Sequence, residues 1–97
     1  MFPIPTSFRM GGHTWRIKLC KMTDIYGDCD HDKHLIRIAS ELNGKPTTDD
    51  VRFQTFLHEA LHAVEYSLGR ETDEAMVAGM EQMIYQLFKT AKWKRLQ

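Results

Sequence analysis

Alternating apolar and polar residues in the first part of the chain predict two strands of a small β-sheet. The segments 14–20 and 34–39 both show the two-residue period of a half-buried strand. The positions expected to face the core are Trp15, Ile17 and Leu19 in the first segment and Ile36 and Ile38 in the second. The chain is therefore predicted to begin with sheet.

Turn residues delimit these strands. Gly11 and Gly12 mark a turn, the segment 24–28 is a connection or short strand broken at Gly27, and the Asn-Gly-Lys-Pro segment 43–46 ends the sheet region. The connections are too short to contain a crossover helix, so we expect the strands to pair antiparallel.

A helical period replaces the alternation in the second half of the chain. Thr47 or Thr48 is placed to N-cap a first helix, which Gly69 ends. A second helix begins near Thr72 and frays near Lys92. The predicted buried faces consist of Val51, Phe56, Leu57, Ala60, Leu61, Val64 and Leu68 in the first helix, and Met76, Val77, Met80, Met83, Ile84, Leu87 and Phe88 in the second.

Length and charge limit what such a chain can do. Its 97 residues are expected to form a single domain, residues 1–97, of the α+β class, in which a small antiparallel sheet precedes the two helices. Thirteen acidic and thirteen basic residues cancel, so no global field attracts nucleic acid or a membrane. A basic cluster complements the carbonyl end of the last helix more readily than it indicates a DNA site. The cluster consists of Lys89, Lys92, Lys94 and Arg95.

Cysteine usage and targeting signals favour the cytoplasm. Cys20 and Cys29 are too few for a disulfide scaffold. The N-terminus lacks the basic and apolar regions of a signal peptide, and no apolar run approaches membrane-spanning length. A reducing compartment without a membrane partner is the expectation.

The segment 58–62, His-Glu-Ala-Leu-His, carries the chemistry. At about 100° per residue, His58 and His62 lie roughly 40° apart and one turn along the predicted helix, so both imidazoles can point at one metal ion. Glu59 lies on the flank of that face, within reach of a water on the metal. This is the HExxH arrangement of zinc hydrolases, with two ligands and a general base. A core helix with two incidental histidines is the structural alternative.

A second group of metal-binding residue types lies in the predicted sheet region. Cys29, His31 and His34, with Cys20 nearby, could form a Cys/His zinc cluster. The paired CxxC spacing of such clusters is absent, and the stretch is equally typical of a polar hairpin turn. We therefore favour the turn.

Other residues of the helical half are candidates for supporting roles. Glu65 lies close to the His58 direction and could hydrogen-bond a ligand histidine, although a solvated surface position is favoured. Tyr66, Tyr85 and His34 are candidates for stabilising an oxyanion, and the sequence does not choose among them.

Three segments, in this order, resemble the SprT-like group of small metallopeptidases, and within it the minimal phage-type HExxH proteins. They are Tyr26-Gly27-Asp28-Cys29, Ile36-Arg37-Ile38-Ala39-Ser40 and Thr55-Phe56-Leu57-His58-Glu59, and the resemblance covers about residues 14–85. It implies a zincin-like α+β fold and zinc-dependent hydrolysis of a protein or peptide substrate, in the host cytoplasm if the protein is phage-encoded. Larger relatives act on DNA-bound proteins through extra modules that are not found here, so a nucleic-acid partner is not expected.

Three carboxylates compete for the role of third zinc ligand, because no histidine follows His62. SprT-like enzymes carry a third histidine near the start of the next helix, and the resemblance implies that Glu74 replaces it, as in the phage-type members. A simple antiparallel helix pair turning at Gly69 would instead bring Glu81 level with His62. Asp73 is the remaining candidate.

The sequence thus predicts a zinc metallopeptidase in which His58, His62 and Glu74 hold Zn²⁺ and Glu59 is the catalytic base. An extended substrate is expected to add to the edge of the strand that ends near Ser40. The alternatives are a zinc-binding protein of the same fold that acts as a non-catalytic binding or regulatory module, and a helical hairpin on a sheet with no metal. A monomer is assumed.

Overall fold

The computed structural model describes residues 3–94 and has an α+β fold, as the sequence predicts. A five-stranded sheet precedes two helices. The elements are β1 (Ser7–Met10), β2 (His13–Met22), β3 (Gly27–Asp30), β4 (Leu35–Leu42), β5 (Lys45–Pro46), α1 (Asp49–Ser67) and α2 (Glu74–Thr90). Arg95, grouped above with the C-terminal basic cluster, lies outside the described residues.

The sheet is mixed, so the prediction of antiparallel pairing throughout is wrong. β1 pairs antiparallel with β2, and β3 and β5 pair antiparallel with β4, but β2 and β4 run parallel. The strand order β1-β2-β4-β3 gives the reason. After β2 the chain passes over one strand position, forms β3, and then returns to fill that position with β4. Strand β3, and not a crossover helix, therefore connects the parallel strands β2 and β4. Gly27, predicted to break a strand, is the first residue of β3.

The core lies where α1 packs on the sheet. Trp15, Ile36, Ile38 and Ala63 form its buried cluster, as predicted for the three strand residues among them. Burial of an isoleucine side chain stabilises a fold by about 1.5–3 kcal/mol. Leu19, also predicted to face inward, is 43% exposed, because α1 packs mainly against β3 and β4.

Both ends of α1 are fixed by caps. The Thr48 hydroxyl is the N-cap and accepts the N–H of Val51 at 3.2 Å. The Thr47 hydroxyl instead donates to the carbonyl of Ala39 in β4 at 2.6 Å, which ties the start of the helix to the sheet. Gly69 follows the C-cap with φ +68, a left-handed conformation that suits glycine, as predicted. The orientation of α1 relative to β4 is thereby set.

The predicted apolar face of α2 is largely exposed. The helix begins at Glu74, after an Asp73 N-cap, and its one fully buried residue is Val77. α2 packs on α1 and not on the sheet, and a helix with a single neighbour has only a narrow buried stripe. The large apolar residues left exposed are Met76, Met80, Met83 and Leu87. Within residues 3–94, neither helix has the length and apolar character needed to cross a membrane.

Candidate metal centre

The two histidines of the HExxH segment lie side by side on α1. The ring centroids of His58 and His62 are 5.0 Å apart, and their planes are inclined at 70°. His62 is buried, whereas His58 is partly exposed. The helical phase predicted from the sequence therefore produces two imidazoles on one face, one turn apart.

Glu74, the first residue of α2, completes a three-residue cluster with the histidines. Its Oε1 lies 3.5 Å from Nε2 of His58 and in direct contact with Nε2 of His62. One ligand atom from each of the three residues lies within 4.8 Å of the others, and this is the one such group of three or more among residues 3–94. The cluster is able to hold a metal ion.

The other carboxylates proposed for the third ligand position lie elsewhere. Asp73 accepts the backbone N–H of Met76 at 3.0 Å as the N-cap of α2. Glu81 lies 3.4 Å from Nδ1 of His58, the ring nitrogen that faces away from Glu74. The geometry therefore brings Glu74, and not Glu81 or Asp73, to the two Nε2 atoms, because α2 begins beside His62 after a short loop.

Each candidate ligand histidine has a carboxylate on its second ring nitrogen. Glu81 faces Nδ1 of His58, and Glu65 lies 2.7 Å from Nδ1 of His62. In the tautomer in which Nδ1 of each ring donates to its carboxylate, Nε2 is the nitrogen directed to the cluster. The expectation that Glu65 is a solvated surface residue is wrong, since it is partly buried and hydrogen-bonded to His62.

Charge around His62 favours its protonated form. Burial lowers the pKa of this imidazole, but the hydrogen bond with Glu65 and the charges of Glu74 and Glu59 outweigh burial and raise the pKa above its ordinary value. The same acidic environment attracts a metal cation, which competes with the proton for Nε2.

Glu59, a residue of α1, is buried where this helix packs against Gly27, the first residue of β3. The residue is 8% exposed, and burial raises the pKa of its carboxyl group although His58 and His62 oppose the shift. Gly27 lies so close that an added Cβ would be 2.6 Å from Cγ2 of Thr55 and 3.5 Å from Cγ of Glu59. Strand β3 can approach Glu59 this closely because Gly27 has no side chain.

An open cleft of about 340 Å³ exposes this cluster to solvent. Helix α1 and strand β3 supply most of its lining, and the remainder comes from the residue after β3, the loop before α2 and the first residue of α2. Its lining residues are Gly27, Asp28, Cys29, His31, His58, Glu59, His62, Thr72 and Glu74. Strand β3, which forms part of the cleft, is the outermost strand of the sheet, so it has one edge without a neighbouring strand among the described residues. The strand that ends beyond Ser40, β4, lies between β2 and β3, so the expectation that it is an edge strand of the sheet is wrong.

His31 and Cys29 line the cleft, although the sequence did not place them there. His31 is held by stacking on Tyr66, with ring centroids 4.7 Å apart. Burial, and secondarily Glu59, raises the pKa of the Cys29 thiol to about 12, so this thiol is not a reactive nucleophile. Cys29 belongs to β3 and His31 directly follows it, and both reach the cleft because β3 packs against α1, which the sequence pattern does not show.

Neither the predicted oxyanion residues nor the predicted Cys/His cluster belongs to the candidate metal centre. Of the oxyanion candidates, Tyr85 packs on Phe53 and His34 stacks on His13 at 4.0 Å, and neither they nor Tyr66 line the cleft. Among residues 3–94, Cys29, His31 and His34 do not form a metal-binding group, with or without Cys20.

Comparisons of the chain with family models, with curated proteins and with solved structures find no match. The arguments for function therefore rest on the geometry of His58, His62, Glu74 and Glu59. This geometry defines a two-helix centre with two imidazoles, one carboxylate and an adjacent buried carboxyl group.

Proposed function

We propose that this protein is a zinc-dependent peptide hydrolase related to the minimal SprT-like metallopeptidases. The observation that carries the proposal is the convergence of His58 Nε2, His62 Nε2 and Glu74 Oε1 beside the buried Glu59. Two imidazoles and one carboxylate are a donor set of catalytic zinc sites, which keep a further position for water or substrate. The Glu74 side chain is 64% exposed, which leaves the cluster accessible from solvent.

The residues of the cleft are suited to hydrolysis by an activated water. Zinc held by His58, His62 and Glu74 would lower the pKa of a water and polarise a scissile carbonyl. Glu59 accepts the proton of the water and passes it to the leaving amine. Because burial raises its pKa, Glu59 is a stronger base than an ordinary glutamate and is better matched to neutral pH.

Two carboxylates outside the metal cluster, those of Glu65 and Glu81, keep the ligand imidazoles in the tautomer that directs Nε2 to the metal. When the rings are neutral and Glu65 and Glu81 accept from the Nδ1 atoms of His62 and His58, the Nε2 lone pairs are available to a metal. They also restrict rotation of the rings. Their role is positioning, since neither lines the cleft.

The substrate class that fits the cleft is an extended polypeptide. The free edge of β3, Gly27–Asp30, runs along the cleft and offers backbone donors and acceptors for strand addition. Such pairing recognises the main chain and needs no particular side chain. The balanced charge of the chain offers no field for nucleic acid.

A second candidate function is a zinc-binding module without turnover. The observation that favours it is the size of the cleft, about 340 Å³, which provides little enclosure from water. The metal would then stabilise the packing of α1 on α2 and present the β3 edge to a bound segment.

Zinc content and hydrolysis together test both functions. The protein is purified without chelator, its zinc is measured per chain, and it is incubated with an unfolded polypeptide. About one zinc per chain, with hydrolysis that chelator stops and added zinc restores, supports the peptidase. One zinc without hydrolysis supports the binding module, and absence of bound zinc at micromolar free zinc contradicts both.

A further inference from the structure

One side of α2 carries an apolar stripe that no described element covers. We call Met76, Met80, Met83 and Leu87 the α2 stripe; their exposed fractions are 52%, 43%, 63% and 56%. The spacing of four, three and four residues is that of a seam between two packed helices. Contiguous exposed apolar residues of this kind mark interaction surfaces.

The charged residues of α2 do not solvate this side of the helix. α2 contains three of them, Glu74, Glu81 and Lys89. Glu74 and Glu81 face the ligand histidines, and Lys89 pairs with Asp50 of α1 at 3.0 Å. In a chain with 27% charged residues, a solvent-facing helix side without one is unusual for a surface that remains in water.

We infer that a second copy of this chain covers the α2 stripe, with the two α2 helices antiparallel about a two-fold axis. The 4-3-4 spacing reads the same in both directions, so the stripe is complementary to itself in this orientation. Met80 of one copy then lies opposite Met83 of the other, and Met76 lies opposite Leu87. Flexible methionines fill such an interface without demanding a single shape.

The charges beyond the ends of the stripe favour the antiparallel orientation. Glu71 and Asp73 precede α2, partly offset by Arg70, whereas Lys92 and Lys94 follow it. An antiparallel pair brings the acidic end of one helix to the basic end of the other, and a parallel pair would oppose like charges. Charge therefore selects the same arrangement as the spacing.

An exposed tryptophan and a groove lined partly by apolar residues also match across the proposed axis. Trp93, at the C-terminal end of α2, is 72% exposed. At the N-terminal end, α1 and α2 diverge around a groove of about 850 Å³. Its apolar lining residues are Leu61, Val64, Leu68, Met76, Val77 and Met80. The antiparallel pair brings Trp93 of one copy to the end of α2 at which the groove of the other opens, and buried tryptophans are common anchors of interfaces.

Sedimentation equilibrium of the full chain from about 1 to 200 µM tests this pairing. We expect a reversible transition to twice the chain mass of 11.3 kDa. Met83→Glu brings two carboxylates to the axis and should raise the dimer dissociation constant at least 30-fold, roughly the effect of losing one hot-spot residue. The matched control is Gln82→Glu, which adds the same charge on another side of α2 and should leave association unchanged. Equal circular dichroism spectra establish that both variants are folded.

A charge exchange tests the orientation. Glu71→Lys and Lys92→Glu should each weaken the dimer, and the double variant should restore it, because the two charges face each other across the interface. A chain that stays monomeric at 200 µM, or that associates equally with Met83→Glu and Gln82→Glu, overturns the proposal. Open-ended association, or a double variant weaker than both single variants, also overturns it.

Discussion

Glu65 holds His62 through Nδ1 at 2.7 Å, and with its other carboxylate oxygen it accepts the backbone N–H of Asp73 at 2.9 Å. One side chain thus fixes the ring of one candidate ligand and the start of the helix that carries another, Glu74. Desolvation raises the pKa of Glu65, but the hydrogen bonds with His62 and with the Asp73 N–H together outweigh it and lower the pKa below its ordinary value, which keeps Glu65 an ionised acceptor.

Replacing Glu65 tests this positioning role. Glu65→Ala should weaken zinc binding by roughly 10–100-fold, the usual cost of removing a group that orients a metal ligand. Glu65→Gln retains an acceptor oxygen and should lose less. Competition with a fluorescent chelator measures both affinities. An unchanged affinity in Glu65→Ala would show that the His62 ring needs no such support.

Glu74 and Glu81 should differ in their effect on zinc affinity. Glu74→Ala removes an atom that contacts both Nε2 nitrogens and should weaken binding by more than the roughly 100-fold upper limit for orienting groups. Glu81→Ala removes a 3.4 Å contact to Nδ1 of His58 and should cost about 10-fold. Zinc titrations of the two variants, compared with the parent, measure the difference. The reverse order would assign the ligand position to Glu81.

Removing zinc should lower the melting temperature, because the ligands lie on two helices. At a free zinc concentration about 100 times the dissociation constant, mass action adds roughly 2.7 kcal/mol to the free energy of unfolding, or about 10 °C to the melting temperature in a domain of this size.

The raised pKa of His62 makes the stability of the metal-free protein depend on pH. In metal-free protein, protonated His62 stabilises the fold below its unfolded pKa, and this contribution is lost as pH rises through the folded pKa.

Zinc must displace the His62 proton, so its stabilising effect should grow with pH across that range. Melting curves with and without zinc at several pH values from about 5 to 8 measure the effect. A zinc-induced shift independent of pH would place the metal away from His62.

Glu59→Gln should separate catalysis from metal binding. Loss of the general base is expected to reduce hydrolysis by roughly 10²–10⁴-fold, while zinc content stays at the parent value. The raised pKa of Glu59 also means that its charged form destabilises the metal-free fold once pH exceeds the unfolded pKa. Metal-free Glu59→Gln should therefore melt higher than the parent at neutral pH, and the difference should shrink on acidification. Full hydrolytic activity in this variant would rule out the proposed mechanism.

Gly27→Ala should displace β3 from α1. The new methyl carbon would lie 2.6 Å from Cγ2 of Thr55 and 2.8 Å from the carbonyl oxygen of Arg37, so the strand must move at a cost of about 1–3 kcal/mol. We expect lower hydrolytic activity with zinc affinity retained. The matched control is Gly79→Ala, where nothing lies within 4 Å and helix propensity predicts a gain of up to about 1 kcal/mol. Equal loss of zinc affinity and activity in Gly27→Ala would mean that β3 supports the ligands themselves.

The sequence was most informative where the relevant distances are local. Helical phase alone places His58 and His62 on one face, and caps at Thr48 and Gly69 delimit the helix that carries them. The parallel pairing of β2 with β4 could not be read in this way. This pairing depends on β4 filling the position between β2 and β3. Tertiary packing determines which strand occupies that position, and the alternation of residues along one strand does not show it.

Two further features could not be predicted, because amphipathic periodicity does not show which element packs against a given helix face. The pattern of α2 predicted a buried face, yet Met83 is 63% exposed because the helix has only α1 beside it. Glu65 and Glu81 were hard to assign because a carboxylate on a helix surface is compatible with solvent, with an orienting role or with direct metal binding. The relative placement of α1 and α2 brings Glu81 to Nδ1 of His58, a contact that the spacing along one helix does not show.

The skipped strand position puts the two sides of the cleft on separate stretches of the sequence, which has a consequence for how the sequence of this chain can vary. The candidate ligands and their orienting carboxylates all come from residues 58–81, whereas the wall beside Glu59 comes from β3, more than 25 residues earlier. Changes in the sheet edge can thus alter which segment is bound while leaving the ligand set intact, and changes in the helical hairpin can do the converse. Recognition and metal retention can therefore vary almost independently, because they depend on two separate stretches of the sequence.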